Sequence, residues 1–157
     1  MAAEKFYLYG KHALTEALIA RPQIIQKVFL SAEMMKDESL LSELKKHAIS
    51  VSALKTEAKS AVGSDAVHQG VICVINQEAL YTDSKEAFSL LDTMKHQCVV
   101  ILDELHDPHN VGAIIRSAAA FGAGAIFMPK HNQAPITPVV IKTSAGMVFR
   151  RSEERRV

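Results

Sequence analysis

The side chains able to do chemistry gather in one stretch, residues 99–124, which reads VVILDELHDPHNVGAIIRSAAAFGAG. Glu104, His106 and Asp107 come first, then Asn110, then Arg116. An arginine fork suits a phosphodiester, an asparagine can order its neighbours by hydrogen bonds, and a nearby carboxylate or imidazole can take up a proton. Three elements must position them. Cys98, Val99, Val100, Ile101 and Leu102 form an apolar, β-branched run that fits a strand covered on both faces, as in a parallel sheet. Residues 103–106 leave it as a polar loop. Asp107 before Pro108 marks a helix start, because the carboxylate accepts from free first-turn amides and proline loses nothing at the first helical position. On a helical wheel Val111, Ile114, Ile115, Ala118 and Gly122 share one stripe; Arg116 lies about 145° from its centre, and Asn110 falls off it near the N-terminus. Strand, loop and helix start in this order make the kind of place where open α/β sheets bind ligands. Spacing alone favours a solvated arginine and a capping asparagine.

The wording LDELHDPHNVGAIIRSAAAFG is more specific. It resembles motif 1 of the SpoU (TrmH-type) RNA ribose 2′-O-methyltransferases, a D-P-x-N-x-G-x-x-x-R-[ST]-A run; Asp107, Pro108, Asn110, Gly112, Arg116, Ser117 and Ala118 match position by position. The resemblance implies that Asn110 and Arg116 are catalytic, that the methyl donor is S-adenosylmethionine and that the partner is ribosomal or transfer RNA. A ribose 2′-hydroxyl is a poor nucleophile and needs alignment or proton removal while its oxygen attacks the methyl carbon in line. The resemblance also implies that Arg116 supports that step, the proton leaving through the neighbouring phosphate. A guanidinium, with a pKa above about 12, is better suited to clamp that phosphate and orient the ribose. Asn110 would order Arg116 and the loop. Glu104 and His106 could supply a base, but neither sits on a matched position.

At 157 residues and 48% apolar composition, the chain can form one packed domain or two small ones. Its 18 basic and 17 acidic residues nearly cancel, so an RNA contact has to come from local patches. No apolar run is long enough to cross a bilayer and no charged-then-apolar leader opens the chain, so the expectation is a soluble cytoplasmic protein with no membrane partner. Cys73 and Cys98 both lie in apolar, strand-like runs and read as buried thiols rather than a disulfide or metal site. His106, Asp107 and His109 are too tightly spaced for the helical geometry of zinc ligands, and no metal is expected. Gly122, Ala123 and Gly124 follow a helix instead of opening one, which argues against a dinucleotide loop.

Residues 5–77 alternate helix and strand and are expected to form a compact α/β unit. FYLYG leads into a helix ending near residue 20, with Ala13, Leu14, Ala17 and Leu18 at helical spacing. A strand over 26–31 precedes a helix over 34–47 that turns Met34, Leu40, Leu41 and Leu44 inward, with Met35 joining Met34 in the core. A strand over 51–54, a short helix from Thr56, a turn at 63–65 and the buried strand VICVI at 71–75 complete it. Two further segments, YGKHALTEAL and VHQGVICVI, resemble the opening and closing signatures of the substrate-binding domain that precedes the methyltransferase domain in many SpoU enzymes, a small ribosomal-protein-like RNA-binding module. Lys11 and His12 after Gly10, and His68 and Gln69 before Gly70, are the candidate RNA-binding residues. A helix-entry turn and a turn into the last strand account for the same residues without RNA.

Residues 78–97 read as a linker with its own helix over 84–95, carried by Phe88, Leu90, Leu91 and Met94. Residues 98–157 are expected to be the N-terminal part of a parallel-sheet domain of the SPOUT class. After motif 1 come a strand, AIFM, ended by Pro129, a polar loop at 133–138, and a helix over 139–145 leading to a turn at Ser144 and Gly146. The family resemblance runs to about Phe149; RRSEERRV beyond it reads as a charged, frayed end. SpoU enzymes build their S-adenosylmethionine pocket from later motifs in a C-terminal knot, through which they also form homodimers. Neither motif is present, so the chain is expected to be truncated, its SPOUT domain incomplete, its cofactor-binding residues unknown, and a stable homodimer or activity absent. The alternative is a non-catalytic RNA-binding protein that keeps the substrate-binding module.

Overall fold

A computed structural model describes residues 6–63, 67–92, 98–150 and 154–156. The chain divides into two compact units, residues 1–77 and 78–157.

The first unit is built on a four-stranded sheet in the order β1-β4-β2-β3, from β1 (Phe6–Tyr9), β2 (Ile25–Leu30), β3 (Ser50–Ala53) and β4 (Val71–Ile75). β4 pairs antiparallel with β1 and with β2, and β2 runs parallel to β3. An inner strand flanked on both sides suits an unbroken apolar run, and all residues of VICVI are buried. Between β1 and the first helix, α1 (Lys11–Ala20), the chain turns at Gly10 with φ +97°, a region that disfavours residues with a Cβ. Leu14, Ala17 and Leu18 face inward as their spacing predicts.

The single helix expected over 34–47 is divided. Residues 34–36 form one 3-10 turn, Asp37 adopts an extended conformation, and α2 (Glu38–Lys46) starts afresh beyond it. Asp37 Oδ1 accepts from the Leu40 N–H at 3.1 Å, and this cap wins over helix continuation. As a result Met34 is only half-buried and Met35 is 41% exposed, so the pair is not core; Leu40 and Leu44 are. α3 (Thr56–Val62) ends at Gly63, at φ +86°. The remainder of the turn expected at 63–65 lies outside the described residues.

The second unit holds a parallel sheet in the order β5-β6-β7: β5 (Val99–Ile101), β6 (Ala125–Met128) and β7 (Glu154–Arg156). β6 is the inner strand and is buried throughout. β5 departs from the expectation of a strand covered on both faces. It lies at the sheet edge, and Val99 and Ile101, on one face of it, are 39% and 75% exposed because that face opens into a cleft. Cys98, just before the strand, is also exposed, whereas Cys73 on the inner strand β4 is fully buried. The charged tail is also not wholly frayed: the backbone of residues 154–156 pairs with β6, where Ile126 stands opposite Glu154 and Met128 opposite Arg156. Ladder hydrogen bonds need main-chain groups and not apolar side chains, which is why charge patterning did not reveal this strand.

The helix expected in the linker is α4 (Ser84–Asp92), and it belongs to this second unit. Its Ala87 is buried with Ala125 and Phe127, and the Phe88 ring stacks on Phe127 with centroids 5.2 Å apart. Met94 and the rest of that expected helix lie outside the described residues. α5 (Pro108–Ala120), α6 (Pro138–Thr143) and α7 (Met147–Arg150) follow.

Candidate functional site

Leu102 N–H donates to Phe127 O at 2.8 Å and extends the β5–β6 pairing by one residue before the chain leaves the sheet. Glu104 then takes φ +49°, the left-handed conformation that turns the loop, and its carboxylate accepts from Asn132 Nδ2 at 3.4 Å. One residue on, Leu105 is held at both backbone groups: its N–H donates to Gln133 Oε1 at 2.9 Å and its carbonyl accepts from Ala134 N at 2.7 Å. The loop before α5 is therefore tied to the loop after β6. Asp107 caps α5 by accepting from His109 N–H at 2.8 Å, with Pro108 in the first turn, as the sequence predicts.

Gly112 explains the glycine of the motif. A Cβ there would stand 2.7 Å from Thr143 Cβ and 2.9 Å from Val140 O, so α5 and α6 approach too closely for any side chain. His109 Nδ1 lies 3.5 Å from Thr143 Oγ1 across the same crossing. Val111, Ile115 and Ala118 are buried and Ile114 is half-buried, while Gly122 is exposed just beyond the helix end.

Asn110 and Arg116 are exposed on α5, and neither makes a hydrogen bond or ion pair among the described residues. Six positions apart, they are separated by about 120° around the helix and about 9 Å along it. Asn110 thus does not order Arg116 directly; the loop is ordered by Gln133, Asn132 and Ala134, which sequence reasoning missed. Their segment is irregular and carries no periodic signal. His106 is exposed, and Asp107 is engaged as a cap. Among the described residues no group of three or more His, Cys, Asp or Glu gathers as metal ligands, and no helix is long and apolar enough to cross a membrane.

Beside β5 lies an open cleft of about 610 Å3 lined by Phe88, Val99, Ile101, Phe127, Pro129 and, as the one charged group among the described residues, Asp103. S-adenosylmethionine carries an adenine, a ribose, a sulfonium and an amino-acid end with both charges. Asp103 alone cannot meet these groups, and among the described residues no cation lines the cleft for the carboxylate. Gln133 Nε2 is buried without a hydrogen-bond partner among the described residues, but one amide donor does not complete such a pocket. The described residues do not fit the cofactor.

In the first unit the structure brings together both pairs of candidate RNA-binding residues. β1, β2 and β3 end, and β4 begins, at one end of the sheet. There Gly10 N–H donates to Val71 O at 3.0 Å, and Gln69 Oε1 lies 3.9 Å from where a Gly10 Cβ would be. Gly70 O accepts from Ser31 N–H at 2.8 Å, and a Cβ on Gly70 would overlap Ser31 Oγ. His68 Nδ1 accepts from Gly70 N–H at 3.0 Å, which puts the ring proton on Nε2. His12 is exposed. Lys11 Nζ sits 2.8 Å from Asp37 Oδ2; that bond, followed by the Leu40 N–H, holds the Asp37 carboxyl below its ordinary range. Asp37 was not singled out from sequence, although an Asp three residues before an inward leucine is a readable cap.

An α/β module before an open parallel sheet, with an arginine exposed on the helix that follows the first strand of that sheet, defines the class: a SPOUT-like α/β fold. The family comparisons agree with this class over both parts of the chain. The model of the SpoU rRNA methylase family matches residues 97–154, and that of the RNA 2′-O ribose methyltransferase substrate-binding domain matches residues 7–81. The chain belongs to the SpoU family. It is 36% identical over 146 residues to an uncharacterized tRNA/rRNA methyltransferase of Mycoplasma pneumoniae, covering 93% of this chain and 59% of that protein. It is 35% identical over 143 residues to the 23S rRNA (guanosine-2′-O-)-methyltransferase RlmB of Coxiella burnetii, covering 88% of this chain and 56% of that one. Among solved structures, the AdoMet-bound rRNA methyltransferase of Sinorhizobium meliloti matches at 22% identity with a TM-score of 0.72, over 97% of this chain and 54% of that one. The SpoU methyltransferase AviRb of Streptomyces viridochromogenes matches at 18% identity with a TM-score of 0.73, over 99% and 54%. The chain thus spans little more than half the length of these relatives.

Proposed function

We propose that the chain serves RNA ribose 2′-O-methylation, its first unit holding ribosomal or transfer RNA and its second presenting Arg116 to the phosphate beside the target ribose. The observation that carries this reading is Arg116 itself. It stands on a capped helix that follows a parallel strand, exposed and with no carboxylate partner among the described residues. A guanidinium free of internal pairing can hold a phosphodiester through two parallel hydrogen bonds, and a fixed phosphate restricts the 2′-oxygen attached one ribose away. Asn110, exposed in the first turn, offers an amide to the same RNA. The curated relatives named for 2′-O-methylation and the substrate-binding match over residues 7–81 support RNA as the partner.

S-adenosylmethionine is the donor such a reaction calls for. Because the cleft beside β5 does not fit it, methyl transfer by these 157 residues alone is not expected. The same observation keeps the second reading, RNA binding without catalysis, in contention. The proposal sets the protein in the cytoplasm with its RNA and does not depend on a homodimer.

Calorimetric titration of the chain with a structured ribosomal or transfer RNA, and separately with S-adenosylmethionine, tests this. Salt-sensitive RNA binding that weakens about tenfold in Arg116→Ala is expected, with no heat from the cofactor. Unchanged RNA affinity in Arg116→Ala would sink the assigned role. Clear cofactor heat would overturn the argument from the cleft and make methyl transfer by the wild-type chain the next assay.

A further inference from the structure

The first unit carries a second polar feature that motif reasoning did not reach. A cavity of about 480 Å3 opens between α3 and the turn before β4, lined among the described residues by Lys59, Ser60, Gly63 and His68. Its size lies in the range of about 300–1,000 Å3 that accommodates small organic ligands, and a lone phosphate would leave most of it empty.

The chemistry of the lining is specific. Lys59 is exposed and its ammonium has no partner among the described residues, in contrast to Lys11 on Asp37, Lys46 near Glu43 and Lys27 over the Phe29 ring. His68 has its Nδ1 occupied by the Gly70 N–H, so its Nε2–H is left to donate. Ser60 Oγ donates its proton to Thr56 O at 3.0 Å and retains lone pairs to accept. Gly63, at φ +86°, has open space where a Cβ would be, so a ligand can approach the backbone closely. One cation, one ring N–H with an adjacent flat face, and one acceptor match the three parts of a nucleotide: phosphate, base and sugar hydroxyl. His68 also joins this cavity to the face formed by Gln69, Gly10 and Lys11.

We infer that this cavity receives a single unstacked nucleotide of the bound RNA, with Lys59 on its phosphate, the His68 ring against its base and Ser60 accepting from a ribose hydroxyl. This rests on the RNA-binding reading of the first unit. Unpaired loop nucleotides can splay out and stack on a histidine, whereas nucleotides inside a duplex cannot, so the cavity gives the unit a preference for looped over fully paired RNA.

The test uses the full chain and two fluorescein-labelled RNAs, a stem–loop with a six-nucleotide single-stranded loop and a blunt duplex of equal length, followed by anisotropy against salt. The stem–loop should bind more tightly. Lys59→Ala should weaken it about fivefold and lower the salt slope by about one, while leaving duplex binding unchanged and Lys59→Arg near wild type. If Lys11→Ala weakens stem–loop binding and Lys59→Ala and His68→Ala do not, the cavity has no such role although the unit still binds RNA. If the wild-type chain binds neither RNA, the RNA reading fails and this inference with it. Lys59-dependent binding of uridine or adenosine monophosphate, without a Lys59 effect on the stem–loop, would overturn the inference in favour of a free nucleotide. Thermal melts confirm that the exposed substitution leaves the fold intact.

Discussion

Two cysteines with nearly the same sequence surroundings end in opposite environments. Cys73 is buried in β4, where desolvation pushes its thiol up to about 12, while Cys98 is exposed at the start of the edge strand. Only a thiolate reacts quickly with an alkylating reagent, so at pH 8 the native chain should consume one equivalent of reagent fast and the second only after denaturation. Mass spectrometry of the labelled peptides would assign the fast site, and rapid modification of Cys73 would contradict the inner position of β4. Asp37 supplies a second residue-scale expectation. The Lys11 ammonium and then the Leu40 N–H hold its folded carboxyl below the ordinary aspartate range. The stability this contributes is present above the unfolded pKa and lost as pH falls through the folded one. In urea titrations Asp37→Asn should therefore be less stable than wild type at pH 6, and the gap should shrink below about pH 4. A gap that persists unchanged to pH 3 would show that the Asp37 charge does not matter.

Elements were legible where a local chemical signal and the tertiary outcome coincide. The start of α5 could be read from Asp107 and Pro108, and β4 from five consecutive apolar residues, because cap chemistry and complete burial are written locally. Strand β5 has the same apolar character, yet its exposure depends on its edge position and on a face that opens into a cleft, which no local pattern records. The interruption before α2 was hidden behind methionines that keep helical spacing while Asp37 caps the next helix. Gly112 was matched as a motif letter, but its reason, the close crossing of α5 with α6, belongs to packing. Gly112→Ala should cost about 1–3 kcal/mol in chemical denaturation, since Thr143 and the Val140 carbonyl must move. Gly122→Ala, with open space around it and only the φ of +75° against it, should cost about 1–2 kcal/mol. Because Gly112 has an ordinary helical φ, where alanine is otherwise favoured, a neutral or stabilising Gly112→Ala would contradict the close crossing.

At the scale of the whole chain, composition and local arrangement carry different information. A net charge of +1 says nothing of a polyanion, while the first unit places Lys11, His12, His68 and Gln69 at one end of its sheet and Lys59 in a neighbouring cavity. The four residues chosen from the two short signatures were far apart in sequence, and only the antiparallel pairing of β1 with β4 brings the signatures together. The division into two units follows the two family matches closely, although residues 78–92 carry buried positions of the second unit, Leu80 and Ala87, instead of only connecting it to the first.

Strand β5 also sets a grammar for anything that comes to lie along it. Its outer row of amide and carbonyl groups is spaced for another extended backbone, and the apolar floor beside it rewards alternate side chains of that backbone. A helix or an irregular loop laid there would trap main-chain groups without partners. The secondary structure of a tight-fitting cover is thus decided in advance by the strand it covers, whatever sequence supplies it.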